Sequence, residues 1–100
     1  MNITKKQPVS VGEMINEEFL LPMELTQGQL AEAMGVSRKT VNELCTNRRT
    51  ITADTALMLA TVFGNTAEFW LKLQQRNDLW KALNTPKRRA RIDRARPIAA

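Results

Sequence analysis

Apolar residues recur at helical spacing in five stretches of the chain, and each stretch opens on a polar residue able to cap it. Val11, Met14, Ile15 and Phe19 form the first stripe. Ser10 precedes it, with Glu13 three residues on, in a capping-box spelling. The spacing predicts a helix from Val11 to Phe19 or Leu20, stopped by Pro22, with the pre-proline Leu21 biased toward an extended backbone. Leu25 then reads as a staple residue before the cap Thr26, and Thr26 with Gln29 spells a second capping box. The helix that follows covers Gln27 to Met34, with Leu30, Ala31 and Met34 on one face. Gly35 suits a tight turn, Val36 plugs the corner, and Ser37 caps a helix from Arg38 to about Asn47 with Val41, Leu44 and Cys45 inward. Ile51 is expected in the core. Thr52 caps a fourth helix, about Ala53 to Phe63, whose stripe is Ala56, Leu59, Ala60 and Phe63, with Leu57 sharing the core. Gly64 ends it. Asn65 or Thr66 caps a fifth, about Ala67 to Leu83.

The fifth helix has two apolar faces. Phe69, Trp70, Leu73, Trp80 and Leu83 lie on a broad one, and Ala67, Leu71 and Ala82 on a smaller one. Two such faces suit a helix buried twice, once in its own core and once against a second copy. Ala67, Trp70, Leu71, Leu73 and Trp80 are therefore the expected dimer residues, although wrapping by a single small domain is an alternative. The expected architecture is all-α, five helices, with an arm at 1–9, a helical dimerisation domain at 10–84 and a basic tail at 85–100.

The middle pair of helices carries the chemistry. Thr26 to Arg49 reads as a helix-turn-helix, whose second helix enters the major groove with its N-terminal residues nearest the bases. Ser37, Arg38, Lys39, Thr40, Asn42 and Glu43 fall on that end and outward face. Arg38 and Lys39 suit guanine O6 and N7, Asn42 suits adenine, and Glu43 suits cytosine N4 or the orientation of basic neighbours. Thr40 offers a methyl to thymine or a hydroxyl to phosphate. Gln27 opens the preceding helix, where backbone amides hold a phosphate. Asn47, Arg48 and Arg49 begin a loop that runs beside the DNA backbone.

Charge sharpens this picture. The net charge is +5, which suits a polyanion. It is unevenly spread: residues 1–36 set Lys5 and Lys6 against five glutamates, whereas Ser37 onward is strongly basic. Glu13, Glu17 and Glu18 on the first helix read as solvated surface or as a patch for a basic protein. The tail sets Lys87, Arg88, Arg89, Arg91, Arg94 and Arg96 against Asp93, and reads as flexible and solvated, with contact to DNA or an acidic partner as an option. With no His and one Cys, a zinc site, a His-based triad and an internal disulfide are excluded. No cofactor, metal, small-molecule substrate or enzymatic activity is expected. No apolar run is long enough to cross a bilayer and the polar start is not read as a signal peptide, so a cytoplasmic location and no membrane partner are expected.

The run LTQGQLAEAMGVSRKTVNEL resembles the helix-turn-helix of phage-repressor-like, XRE-type proteins. Taken with PVSVGEMINEEFLLPMELTQ and RRTITADTALMLATVFGNTAEFWLKLQQRNDLW, the order resembles the HigA antitoxin family over about residues 8 to 83, most specifically in GNTAEFWLKLQ. The resemblance implies a five-helix dimer that binds operator DNA, represses its own operon and neutralises a HigB-type toxin, a small basic ribosome-dependent mRNA endonuclease. It carries the recognition role onto Ser37, Arg38, Lys39, Thr40, Asn42 and Glu43, and the dimer role onto Ala67 to Leu83. Glu13, Glu17 and Glu18 are the candidates for the toxin surface because such toxins are basic. A stand-alone repressor without a toxin is the first alternative. An RNA-binding or nuclease protein using the tail is the second, and the missing His argues against ordinary nuclease chemistry.

Overall fold

The first helix is longer than its proline allows in the sequence reading. In the computed structural model, which describes residues 6–98, Val11–Glu13, Met14–Leu20 and Leu21–Met23 join into one continuous helix, α1, whose middle segment is π-helical. The cause is visible in the core. Ile15 and Leu20 are both buried yet stand five residues apart, a spacing that leaves the face of an α-helix and stays on that of a π-turn. Leu21 N–H accordingly bonds Asn16 O, five residues back. This wide turn loosens the ladder ahead of Pro22, where the ring would otherwise meet the carbonyl four residues behind it. Leu21 therefore keeps helical angles rather than extended ones, and the helix passes through Pro22 to Met23. Glu24 ends it in the left-handed region (φ 54°), with Leu25 N–H bonded to Leu20 O at 2.9 Å.

The next four helices follow their caps. They are α2, Gln27–Met34; α3, Arg38–Cys45; α4, Ala53–Phe63; and α5, Ala67–Asn84. Thr26 and Gln29 form the full reciprocal capping box (3.1 and 2.8 Å). Ser37, Thr52 and Thr66 each accept an amide three residues on. Gly35 and Gly64 close α2 and α4 with φ of 76° and 69°, a region costly for any residue with a Cβ. No strand occurs among the described residues.

The core gathers Val11, Ile15 and Leu20 of α1, Leu30, Ala31 and Met34 of α2, Val41, Leu44 and Cys45 of α3, then Ile51, Ala56, Leu59, Trp70 and Leu73. Trp70 is its hub. The side chain is fully buried, ringed by Phe19, Phe63 and Phe69, and its indole N–H donates to Asn65 Oδ1 at 2.8 Å. Leu57, expected in the core, is instead 59% exposed beside Met58, because α4 turns Ala56 and Leu59 inward and Leu57 away.

Both ends of the described segment, residues 6–98, are more ordered than expected. Residues 7–9 of the expected arm are fastened to α5 by the buried Asn77, whose Nδ2 donates to Pro8 O (3.0 Å) and Val9 O (2.9 Å) and whose Oδ1 accepts from Gln7 (3.0 Å). Residues 1–5 of that arm lie outside the described residues. Residues 86–93 of the basic tail, expected to be flexible, form a sixth helix, α6, Pro86–Asp93, with proline in its first turn where no amide partner is required, and residues 99–100 of that tail lie outside the described residues. An Arg89–Asp93 ion pair one turn apart braces it (3.1 Å).

Candidate nucleic-acid interface

Three apolar side chains fix which way α3 faces. Val41, Leu44 and Cys45 are buried, so Arg38, Lys39 and Asn42 project outward. Burial pushes the Cys45 thiol up from its ordinary range and leaves it a core residue. The crossing of α2 and α3 brings residues far apart in sequence into one cluster. Asn42 Nδ2 donates to Gln27 Oε1 at 3.2 Å. The Arg38 side chain lies along the first turn of α2, so close to Gly28 that a Cβ there would sit 3.5 Å from Arg38 Nε. Gln27, Arg38 and Asn42 thus form one polar edge at the N-terminal ends of α2 and α3, where helix dipoles favour phosphate.

Ser37 and Thr40 are partly committed to the fold. Ser37 Oγ accepts the Thr40 amide at 3.1 Å and pairs with Thr40 Oγ1 at 3.0 Å. Glu43 is committed too: its carboxylate accepts from Arg49 Nη2 at 2.8 Å. That hydrogen bond, joined by the charges of Arg49, Lys39 and Arg48, holds the carboxyl below its usual range. Glu43 therefore orients Arg49 along the outer edge of the loop. Arg48 makes no side-chain hydrogen bond or close ion pair among the described residues, and its charge acts on Glu43 only at longer range.

Asn47 is exposed, but its side chain is committed to the fold, accepting from Gly12 N–H at 2.9 Å and donating to Ser10 Oγ at 3.0 Å. It caps the start of α1 from across the fold, aided by its left-handed backbone (φ 60°). Asn16 completes the link by donating to Cys45 O at 3.1 Å. Sequence reasoning missed Gly12, Asn16 and Gln74, which hold the back of the reading unit. Gln74 Oε1 accepts from Ile51 N–H at 3.3 Å and ties the loop after α3 to α5. A glycine inside the first turn of a helix was the available signal for a close contact.

The remaining site residues separate by burial. Trp70 and Leu73 are inside the protein's own core and present no dimer surface, because the broad face of α5 is the one that packs on α1 and α4. Ala67 and Trp80 are half-buried and Leu71 is exposed, as are Phe69 and Leu79. Glu17 and Glu18 are exposed on α1, while Glu13 accepts from Ser10 Oγ at 3.2 Å. No group of side chains able to hold a metal occurs among the described residues, and no helix there is long and apolar enough to cross a membrane.

Two capped helices joined by a left-handed glycine, with polar and basic side chains on the outward face of the second, define a helix-turn-helix protein. The helix-turn-helix family model matches residues 17–70. The chain is 54% identical over 84 residues to Antitoxin HigA-1 of Vibrio cholerae, covering 84% of this chain and 79% of the relative. Among solved structures, the antitoxin GraA in complex with its operator superposes with a TM-score of 0.86 at 33% identity, covering 100% of both chains. The Pseudomonas aeruginosa antitoxin HigA with its promoter does so with a TM-score of 0.82 at 31% identity, covering 93% of this chain and 100% of that one. The chain belongs to the HigA antitoxin family of XRE-type helix-turn-helix proteins.

Proposed function

We propose that this protein is a DNA-binding antitoxin that represses its own operon and neutralises a HigB-type toxin. The single observation that carries the reading is the polar edge of Gln27, Arg38 and Asn42 on a helix pair whose structural relatives were solved on operator DNA. In the proposed complex α3 lies in the major groove. Arg38 and Lys39 reach guanine, Asn42 reaches adenine, Thr40 supports one or the other, and Ser37 and Glu43 act mainly by positioning. Arg48, Arg49 and the first turn of α2 hold phosphates.

A few base contacts per chain give limited discrimination, about 1–3 kcal/mol each, so two copies on an inverted repeat are required for a useful specificity. The outward apolar side of α5, with Leu71 and Leu79 and the half-buried Trp80, is the proposed seam between them. Glu17 and Glu18 are the proposed contact for a basic toxin, with Glu13 at its edge. The protein acts in the cytoplasm in this reading and needs no cofactor.

Footprinting on the promoter upstream of its own gene tests the reading, with and without the product of the neighbouring small gene. Protection of an inverted repeat, altered by the neighbour, is expected. Protection unaffected by a neighbour that does not co-purify would favour the stand-alone repressor. No protection would remove the DNA-binding reading.

A further inference from the structure

The whole net charge of the molecule resides in its last sixteen residues. Residues 1–84 hold nine Lys or Arg and nine Asp or Glu, whereas residues 85–100 hold six Lys or Arg and one Asp, which accounts for the net +5. The structure arranges that charge. Lys87, Arg91 and Arg94 follow i, i+4, i+7 spacing and so share one ridge of α6 and its C-cap. The Arg89–Asp93 ion pair, the one carboxylate there, lies on another side of the helix. Lys87, Arg88, Arg91 and Arg94 are exposed and have no side-chain partner among the described residues. No residue of α6 is buried, so packing does not explain the helix.

The position of α6 narrows the partner. Lys81, one turn before α6 begins, lines the same cleft as Asn47, Arg49, Thr50 and Asp78. The C-terminal end of α5 therefore lies beside the loop that follows α3, and α6 departs from that end. The radius of gyration is 16.2 Å, against about 13 Å for a compact domain of 100 residues, so the chain reaches well beyond a compact body. A ridge seven residues long spans about 10 Å, the axial length of about three phosphates on one strand.

We propose that α6 is a second DNA-contacting surface, which grips backbone phosphates flanking the bases read by α3 and does so without sequence preference. The inference rests on the DNA-binding reading above. Its consequence is a division of labour. The body is electrically neutral and reads sequence, and the terminal helix supplies long-range attraction and affinity.

The test compares the full-length protein with a K87Q/R88Q/R91Q/R94Q variant, which keeps the Arg89–Asp93 pair and a good helix former at each site. Binding is measured against a 40-base-pair random-sequence duplex and the footprinted promoter fragment over a range of salt concentrations. The slope of log affinity against log salt should fall by about 0.9 for each lost phosphate contact, with equal loss on both duplexes and an unchanged footprint core. Replacing Arg88, Arg91 and Arg94 by Lys should preserve the slope. An unchanged slope in the Gln variant, with circular dichroism showing the fold intact, overturns the proposal. So does a loss confined to single-stranded poly-U RNA or to an acidic protein partner. Absence of binding by the wild-type protein itself overturns the DNA-binding reading along with it, which keeps the two failures distinct.

Discussion

Gly12 and Asn47 show how single residues tie α1 to the end of a reading helix. A Cβ at Gly12 would lie 2.5 Å from Cys45 O and 2.8 Å from Asn47 Oδ1. Gly12→Ala should therefore cost about 1–3 kcal/mol through overpacking, seen as a lower urea midpoint. An unchanged midpoint would mean that α1 and the end of α3 do not meet closely. On the outer side, Arg38→Ala should lose preference at one operator base, whereas Arg48→Ala should weaken operator and random DNA alike and flatten the salt dependence. Equal losses for Arg38→Ala on both DNAs would remove it from the base readers. Glu43 adds a pH signature. Its carboxyl is held below its ordinary value of 4.5, first by the Arg49 hydrogen bond, so the pair is fully present above pH 4.5 and is lost as pH falls through the lower folded value. A carboxyl NMR titration should place the Glu43 midpoint below 4.5; a midpoint at or above it would show that the Arg49 bond is absent in solution. Caps were legible in the sequence because they are local. The Gly12 contact was not, because its partner lies 33 residues away.

At the scale of elements, α1 is the instructive departure. Pro22 carries a strong local rule, and the rule was overridden by the burial of two side chains five residues apart. The π-turn restores Leu20 to the core face and leaves Leu21 75% exposed. Leu20→Ala should cost about 2–5 kcal/mol and Leu21→Ala within about 0.5, measured by thermal or denaturant unfolding. A larger cost at Leu21 than at Leu20 would show that the helix keeps an ordinary register. α6 departs in the other direction. Its charge density suggested a solvated coil, yet Pro86 starts a turn at no hydrogen-bonding cost and the Arg89–Asp93 pair supports it. Periodicity located the other helices within a residue or two, since their apolar stripes and caps agree.

For the molecule as a whole, the decisive fact is which face of α5 is already occupied. Trp70, Leu73 and Asn77 look inward, so the self-association proposed above falls to the outward side. Leu71→Glu combined with Leu79→Glu should convert a sedimenting dimer to a monomer while circular dichroism stays unchanged, because both side chains are exposed. A dimer that survives the pair of changes would place the seam elsewhere. The same packing separates the proposed surfaces: a neutral body that reads bases, an acidic outer edge on α1 and a basic helix at the far end of α5.

The all-helical class, the capped helix-turn-helix and the basic and polar side chains of its second helix are legible in the order of residues alone. Those follow from local rules: helical period, caps and a glycine able to adopt a left-handed backbone. Packing decided that Asn47 is held by Gly12 and Ser10, that α1 runs through its proline and that Trp70 belongs to the core. Each of these depends on a partner distant in the chain or on a helix face filled by a neighbour, and neither distance nor occupancy is written in local spacing.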